Sequence, residues 1–76
     1  MELTPQNRRR LNQLARGYRS RLARNTWSAL FGLERLGVLT EDDLAEAAKH
    51  VGTHPVLMFA DRLGLPVDYN RYDYGD

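Results

Sequence analysis

An all-α fold, a small bundle of three to four short helices with an irregular C-terminal tail, is what this 76-residue chain predicts. Three observations carry that expectation. Apolar residues recur three and four positions apart, the period of one helix face. No run alternates with a period of two for long enough to argue a strand. Each interruption of the helical pattern carries cap chemistry, at Thr4-Pro5, Gly37, Thr40 to Asp43, Gly52, Thr53 to Pro55 and Gly64.

Thr4-Pro5 opens the first helix, with a hydroxyl at the N-cap and a proline where its missing N–H costs nothing. From there Leu11, Leu14, Ala15, Tyr18 and Leu22 fall on a stripe roughly 100° wide, and the stripe continues through Ala29, Leu33 and Leu36. A break or kink is expected near Asn25. Asn25-Thr26 can cap a new helix, Gly17 and Gly32 weaken a continuous one, and Trp27 and Phe31 fall off the first stripe. A second helix starting near Thr26 could turn both rings inward. Gly37 ends it in the left-handed position that glycine tolerates, and Val38 supplies the accompanying apolar contact.

Thr40-Glu41-Asp42-Asp43 has capping-box spacing, with aspartate in place of the usual glutamate or glutamine, and puts three acids at the positive end of the next helix. Leu44, Ala47, Ala48 and Val51 face inward there, and Gly52 stops it. Thr53-His54-Pro55 starts the last helix by the same hydroxyl-and-proline logic, with Val56, Phe59, Ala60 and Leu63 on one face and Leu57 and Met58 pointing elsewhere. Residues 1–66 read as a single helical domain. Residues 67–76, VDYNRYDYGD, read as a polar, Tyr/Asp-rich tail.

Composition bounds the function classes. A chain this short buries only about 60% of its unfolded surface, which leaves little room for an enzymatic pocket. With no cysteine, disulfides, thiolate metal sites and cysteine nucleophiles are excluded. The start MELTPQNRRR lacks the apolar run of a signal peptide, and no stretch approaches the ~20 apolar residues of a membrane span, so the expectation is a cytoplasmic protein with no membrane partner. No Gly-rich phosphate loop or nucleophile–base pair appears, and Asp42 and Asp43 splay ~100° apart on a helix, so no catalytic residue is assigned. Glu46, His50 and His54 are four apart, but Gly52 and Pro55 interrupt the helix between the histidines; neither a metal nor another cofactor is assigned.

Charge is the strongest signal. Residues 1–40 carry eight arginines against Glu2 and Glu34, a net +6, whereas residues 41–76 carry three cations against eight acids, a net −5. Residues 8–24, RRRLNQLARGYRSRLAR, hold seven arginines, namely Arg8, Arg9, Arg10, Arg16, Arg19, Arg21 and Arg24, and no lysine. Guanidinium pairs bidentately with carboxylate or phosphate and stacks on rings, which suits interfaces. This basic face can meet an acidic protein surface or phosphates, or be partly neutralised by the acidic helix from Glu41 to Glu46. A helix apolar nearly all round must be buried on several sides or offer a contact patch, and Leu57 and Met58 are the candidate patch. In the tail, Tyr69, Arg71, Tyr72 and Tyr74 form a candidate docking segment.

Ala48, Gly52 and Met58 match the spacing of a helix-turn-helix, but HPVLMFADRL is too apolar and has too few cations to read base edges. LERLGVLTEDDLAEA, from Leu33 to Ala47, resembles the helix–LG–apolar pair–TEEDL–helix corner of the N-terminal domains of type II secretion and pilus ATPases. The nucleotide-binding form of that corner needs a preceding arginine-leucine-glycine half, which this chain lacks, so neither membership nor a ligand is inferred.

The expectation is therefore a small non-catalytic binding protein. It would be a regulatory or inhibitory adaptor, of the economical kind that phages and mobile elements encode, docking an arginine-rich helix and an apolar patch on an acidic surface of a protein partner. The alternatives are a nucleic-acid-binding protein using the same arginines on phosphates, and a helical assembly subunit that forms homo-oligomers.

Overall fold

Residues 4–68 are described by a computed structural model. They form four helices and, among the described residues, no strand, in agreement with the predicted all-α class: α1 Pro5–Ser20, α2 Thr26–Leu36, α3 Glu41–Val51 and α4 Thr53–Arg62. The chain divides between Leu39 and Thr40 into two compact units, one holding α1 and α2, the other α3 and α4.

In the first unit, α1 starts as its sequence dictates. The Asn7 amide donates to Thr4 Oγ1 at 3.1 Å, and Pro5 occupies the first turn. The helix ends at Ser20, and a tight turn over residues 21–24 leads to α2, so the break falls just before Asn25. Asn25 precedes α2 without a side-chain cap bond; the Thr26 hydroxyl instead donates back to the Leu22 carbonyl at 2.6 Å, satisfying both groups in a buried position. Ala15, Leu22, Ala29, Leu30 and Leu33 are buried. Full burial of a leucine side chain stabilises by ~1.5–3 kcal/mol, so Leu30 and Leu33 carry much of this small core. At the end of α2, Gly37 adopts φ 75°, with its own N–H on the Glu34 carbonyl (2.9 Å) and the Val38 N–H on the Leu33 carbonyl (3.1 Å), the Schellman pair expected of a glycine stop.

Gly32 has a role that helix propensity does not anticipate. It is buried, and a Cβ built on it would lie 2.3 Å from Tyr18 Cε1 and 2.4 Å from Cζ. The bare backbone of α2 is the surface on which the Tyr18 ring of α1 rests.

In the second unit, the capping box at Thr40 is complete. The Asp43 N–H donates to Thr40 Oγ1 (3.2 Å), and the Thr40 N–H and hydroxyl both donate to Asp43 Oδ2 (3.0 Å each). Asp43 is buried, which suits a carboxylate whose acceptor capacity is used locally. Leu44 and Ala47 are buried on α3, and Ala48 and Val51 are half-buried. Gly52 alone joins α3 to α4, at φ 100° and ψ 150°, a region open in practice only to glycine. Helix α4 therefore already includes Thr53, and the Thr53 side chain does not cap it, contrary to the expected hydroxyl cap. Gly64, at φ 69°, closes α4 with a second Schellman pair, Gly64 N–H to Asp61 O (3.0 Å) and Leu65 N–H to Ala60 O (2.9 Å). Beyond it the Asp68 N–H returns to Glu41 Oε1 at 2.5 Å, tying the chain after α4 to the start of α3.

Four expected orientations are corrected. Trp27 and Phe31 do not turn inward; they are 37% and 53% exposed. Ala29, Leu30 and Leu33 already define the buried face of α2, and the two rings lie on its far side at ~100° per residue. Leu14, at the edge of the α1 stripe, is 47% exposed. Leu57 is buried, because the buried arc of α4 runs through Val56, Leu57, Phe59 and Ala60 and is wide enough to include it. Leu63 falls in the turn after α4 and is exposed, not on the helix face assigned to it.

Candidate interaction surface

The seven arginines of the basic segment are all exposed. Five lie on α1 and two, Arg21 and Arg24, in the turn after it. At ~100° per residue, Arg9 and Arg16 share the back of α1, Arg8 and Arg19 one edge, and Arg10 the other. The charge thus wraps the helix outside its apolar stripe and is not confined to a single line.

Two of the seven are engaged by their own unit. Arg19 Nη2 donates to the Val38 carbonyl at 3.0 Å, which fastens the last turn of α1 to the chain leaving α2. The Arg21 guanidinium sits 5.9 Å from the centre of the Tyr18 ring, within cation–π range. Tyr18 is thus held between Arg21 on its own side and the Gly32 backbone of α2. Among the described residues, Arg8, Arg9, Arg10, Arg16 and Arg24 make no ion pair.

Helices α1 and α3 handle charge in opposite ways. Helix α3 places Glu41, Asp42 and Asp43 in its first turn and Lys49 and His50 in its last, each favourable with the helix dipole. Glu46 pairs with Lys49 (3.4 Å) and approaches His50 Nε2 to 3.3 Å. Helix α1, PQNRRRLNQLARGYRS, has five arginines, no acid, and three of those arginines crowded toward its positive end. Like charges and an opposed dipole both weaken such a helix. Nothing in the stability of α1 calls for that pattern.

The apolar side of the candidate surface is redrawn by the structure. Leu57 is removed from the proposed patch by burial, and Met58 remains, 49% exposed on the outer face of α4. Sequence reasoning missed Trp27 and Phe31, one turn apart on the outer face of α2, with Arg24 before them and Arg35 after. The signal is their departure from the α1 stripe, which fits a rotated helix that buries them as well as one that leaves them outside. The candidate docking residues Tyr69, Arg71, Tyr72 and Tyr74 lie outside the described residues.

Other readings find little geometric support. The single-residue joint at Gly52 is shorter than the three- to four-residue turn of a helix-turn-helix. Among the described residues no group of three His, Cys, Asp or Glu side chains is placed to hold a metal ion, and no helix is long and apolar enough to cross a membrane. No family model, curated protein or solved structure matches the chain.

Proposed function

We propose that this protein is a non-catalytic binding module, a regulatory or inhibitory adaptor, whose α1 helix docks on an acidic surface of a protein partner. The observation that carries the reading is the charge pattern of α1. Three of its exposed arginines, Arg8 to Arg10, stand toward its positive end and no acid stands in its first turn, whereas α3 in the same chain opens on three acids and is charged for its own stability. A pattern that costs stability locally is explained by a gain elsewhere, and a carboxylate-rich surface recovers it through bidentate pairs.

The second reading, binding to nucleic acid, is favoured by the way the arginines wrap α1, since a phosphate backbone can follow such a helix without reading sequence. One experiment separates the two. Immobilised protein, wild type and Arg9→Glu/Arg16→Glu, is exposed to nuclease-treated and untreated cell lysate. The preferred reading expects a discrete protein that survives nuclease on the wild type and is lost on the variant. Recovery that vanishes with nuclease transfers the function to nucleic acid. Equal recovery on both proteins removes α1 from the interface.

A further inference from the structure

We infer that the side of α1 formed by Arg10, Leu14 and Gly17 is the seat of the partner, and that its occupant is an acidic, amphipathic α-helix crossing α1 at Gly17. The inference rests on the adaptor reading above and names what the partner brings to the same helix. At ~100° per residue the three positions fall within ~60° of one another around α1. Gly17 carries the inference. Glycine weakens a helix relative to alanine, and the other described glycines each have a reason to be one. Gly32 seats the Tyr18 ring, and Gly37, Gly52 and Gly64 take positive φ. Gly17 lies within α1 without a positive φ, and a Cβ built on it would meet only Arg21 Nη2, at 3.7 Å. Among the described residues nothing requires that stretch of backbone to be bare. A neighbour that approaches it closely does.

Leu14 stands three residues before Gly17 and is 47% exposed, so the notch has an apolar wall. A missing side chain lets a second helix axis come closer, because the distance between two axes is set by the residues at their contact. The complement is a helix with small and branched apolar residues along one stripe. Charge fixes its flanks. Arg10 borders the notch, Arg9 and Arg16 lie behind it, none of the three makes an ion pair among the described residues, and α1 holds no acid. The flanks of the occupant are therefore carboxylates. A second copy would have to supply that helix from its own acidic half. Three of the acids of α3 already have local donors: Asp43 is buried in the capping box, Glu41 accepts the Asp68 N–H, and Glu46 pairs with Lys49. A partner helix whose acids are unpaired is the better complement.

Filling the notch separates binding from stability. The full chain is titrated with a labelled acidic helical peptide whose leucines and alanines share one face, and with a peptide of the same composition in shuffled order, followed by fluorescence anisotropy. The ordered peptide is expected to bind at least about tenfold more tightly than the shuffled one. Gly17→Ala and Gly17→Leu place a side chain where only a flexible guanidinium lies, so circular dichroism should show α1 as helical as before or more so. Gly17→Leu should nevertheless remove the advantage of the ordered peptide, as should Leu14→Ser. Arg9→Glu/Arg16→Glu should weaken both peptides. Equal affinities that fall with the α1 charges overturn the helix seat and leave the adaptor reading standing. Loss of the advantage in Gly17→Leu without sensitivity to Arg9 and Arg16 keeps the seat and overturns the role of those charges. Binding of neither peptide, or an advantage that survives Gly17→Leu, overturns the inference. So does tighter binding of a DNA duplex that Gly17→Leu weakens, and so does a dimer in sedimentation that Gly17→Leu dissociates.

Discussion

Replacing Gly32 with alanine tests the contact on which the first unit is built. The new methyl would sit 2.3–2.6 Å from three atoms of the Tyr18 ring, more than 1 Å inside ordinary carbon–carbon contact. Either the ring leaves its place over α2 and loses its packing, or the two helices move apart. Overpacking of this kind costs ~1–3 kcal/mol, and so severe an overlap belongs in the upper part of that range. Against it stands the helix propensity of alanine, a gain of about 1 kcal/mol over glycine inside a helix. The net expectation is a loss of ~1–2 kcal/mol in a urea unfolding curve followed by Trp27 fluorescence, a probe that lies in the same unit. The decisive arm is Tyr18→Ala. In that background the three atoms nearest the methyl are gone, and Gly32→Ala should turn stabilising by about 1 kcal/mol. The change of sign corresponds to a coupling of ~2–3 kcal/mol between the two positions. If Gly32→Ala stabilises the otherwise wild-type protein, the close approach of Tyr18 to the α2 backbone is refuted.

The remaining expectations follow from caps and charges. Gly52→Ala forces a side chain into φ 100°, ψ 150° and should cost ~1–3 kcal/mol in global stability. A neutral result in urea would mean that the joint between α3 and α4 relaxes. Thr40→Ala removes the Thr40 hydroxyl from the capping box and should lower stability by ~1–2 kcal/mol, read as an earlier thermal transition in circular dichroism. Arg19→Gln should destabilise the first unit, because Arg19 holds the Val38 carbonyl, whereas Arg9→Gln should leave the first unit at least as stable as before and weaken partner binding. Identical unfolding curves for those two variants would erase the distinction between a structural and a docking arginine. Arg8→Glu should stabilise α1 by a few tenths of a kcal/mol through the helix dipole while reducing affinity for an acidic partner. A rise in that affinity would reject the proposed charge complementarity.

Local chemistry was legible in the sequence because it needs only neighbours in the chain. Thr4 with Pro5, Gly37 with Val38, and Thr40 with Asp43 each form the cap that their spacing announces, since the partner groups lie within five residues. The charge asymmetry is legible for the same reason, and the exposure of all seven N-terminal arginines follows from the cost of burying a guanidinium. Thr53 is the instructive exception among the caps. Its sequence repeats the Thr-Pro logic of Thr4, but Gly52 turns so sharply that the helix begins one residue sooner, and the hydroxyl no longer occupies the cap position.

Which apolar residues go inside was decided by packing between helices. Trp27 and Phe31 are as apolar as the core, and only the pairing of α1 with α2, which selects Ala29, Leu30 and Leu33, sends them outward. Leu57 looked as outward-facing as Met58 on a helix apolar nearly all round, and the wide buried arc of α4 took one and left the other. Gly32 reads as a weakness by propensity and is in place the seat of an aromatic ring. Amino-acid order alone therefore settles where helices start and stop and how they are charged, because those are interactions of short range along the chain. Which face of each helix is buried depends on contacts between residues distant in sequence, and those exist only once the helices have packed.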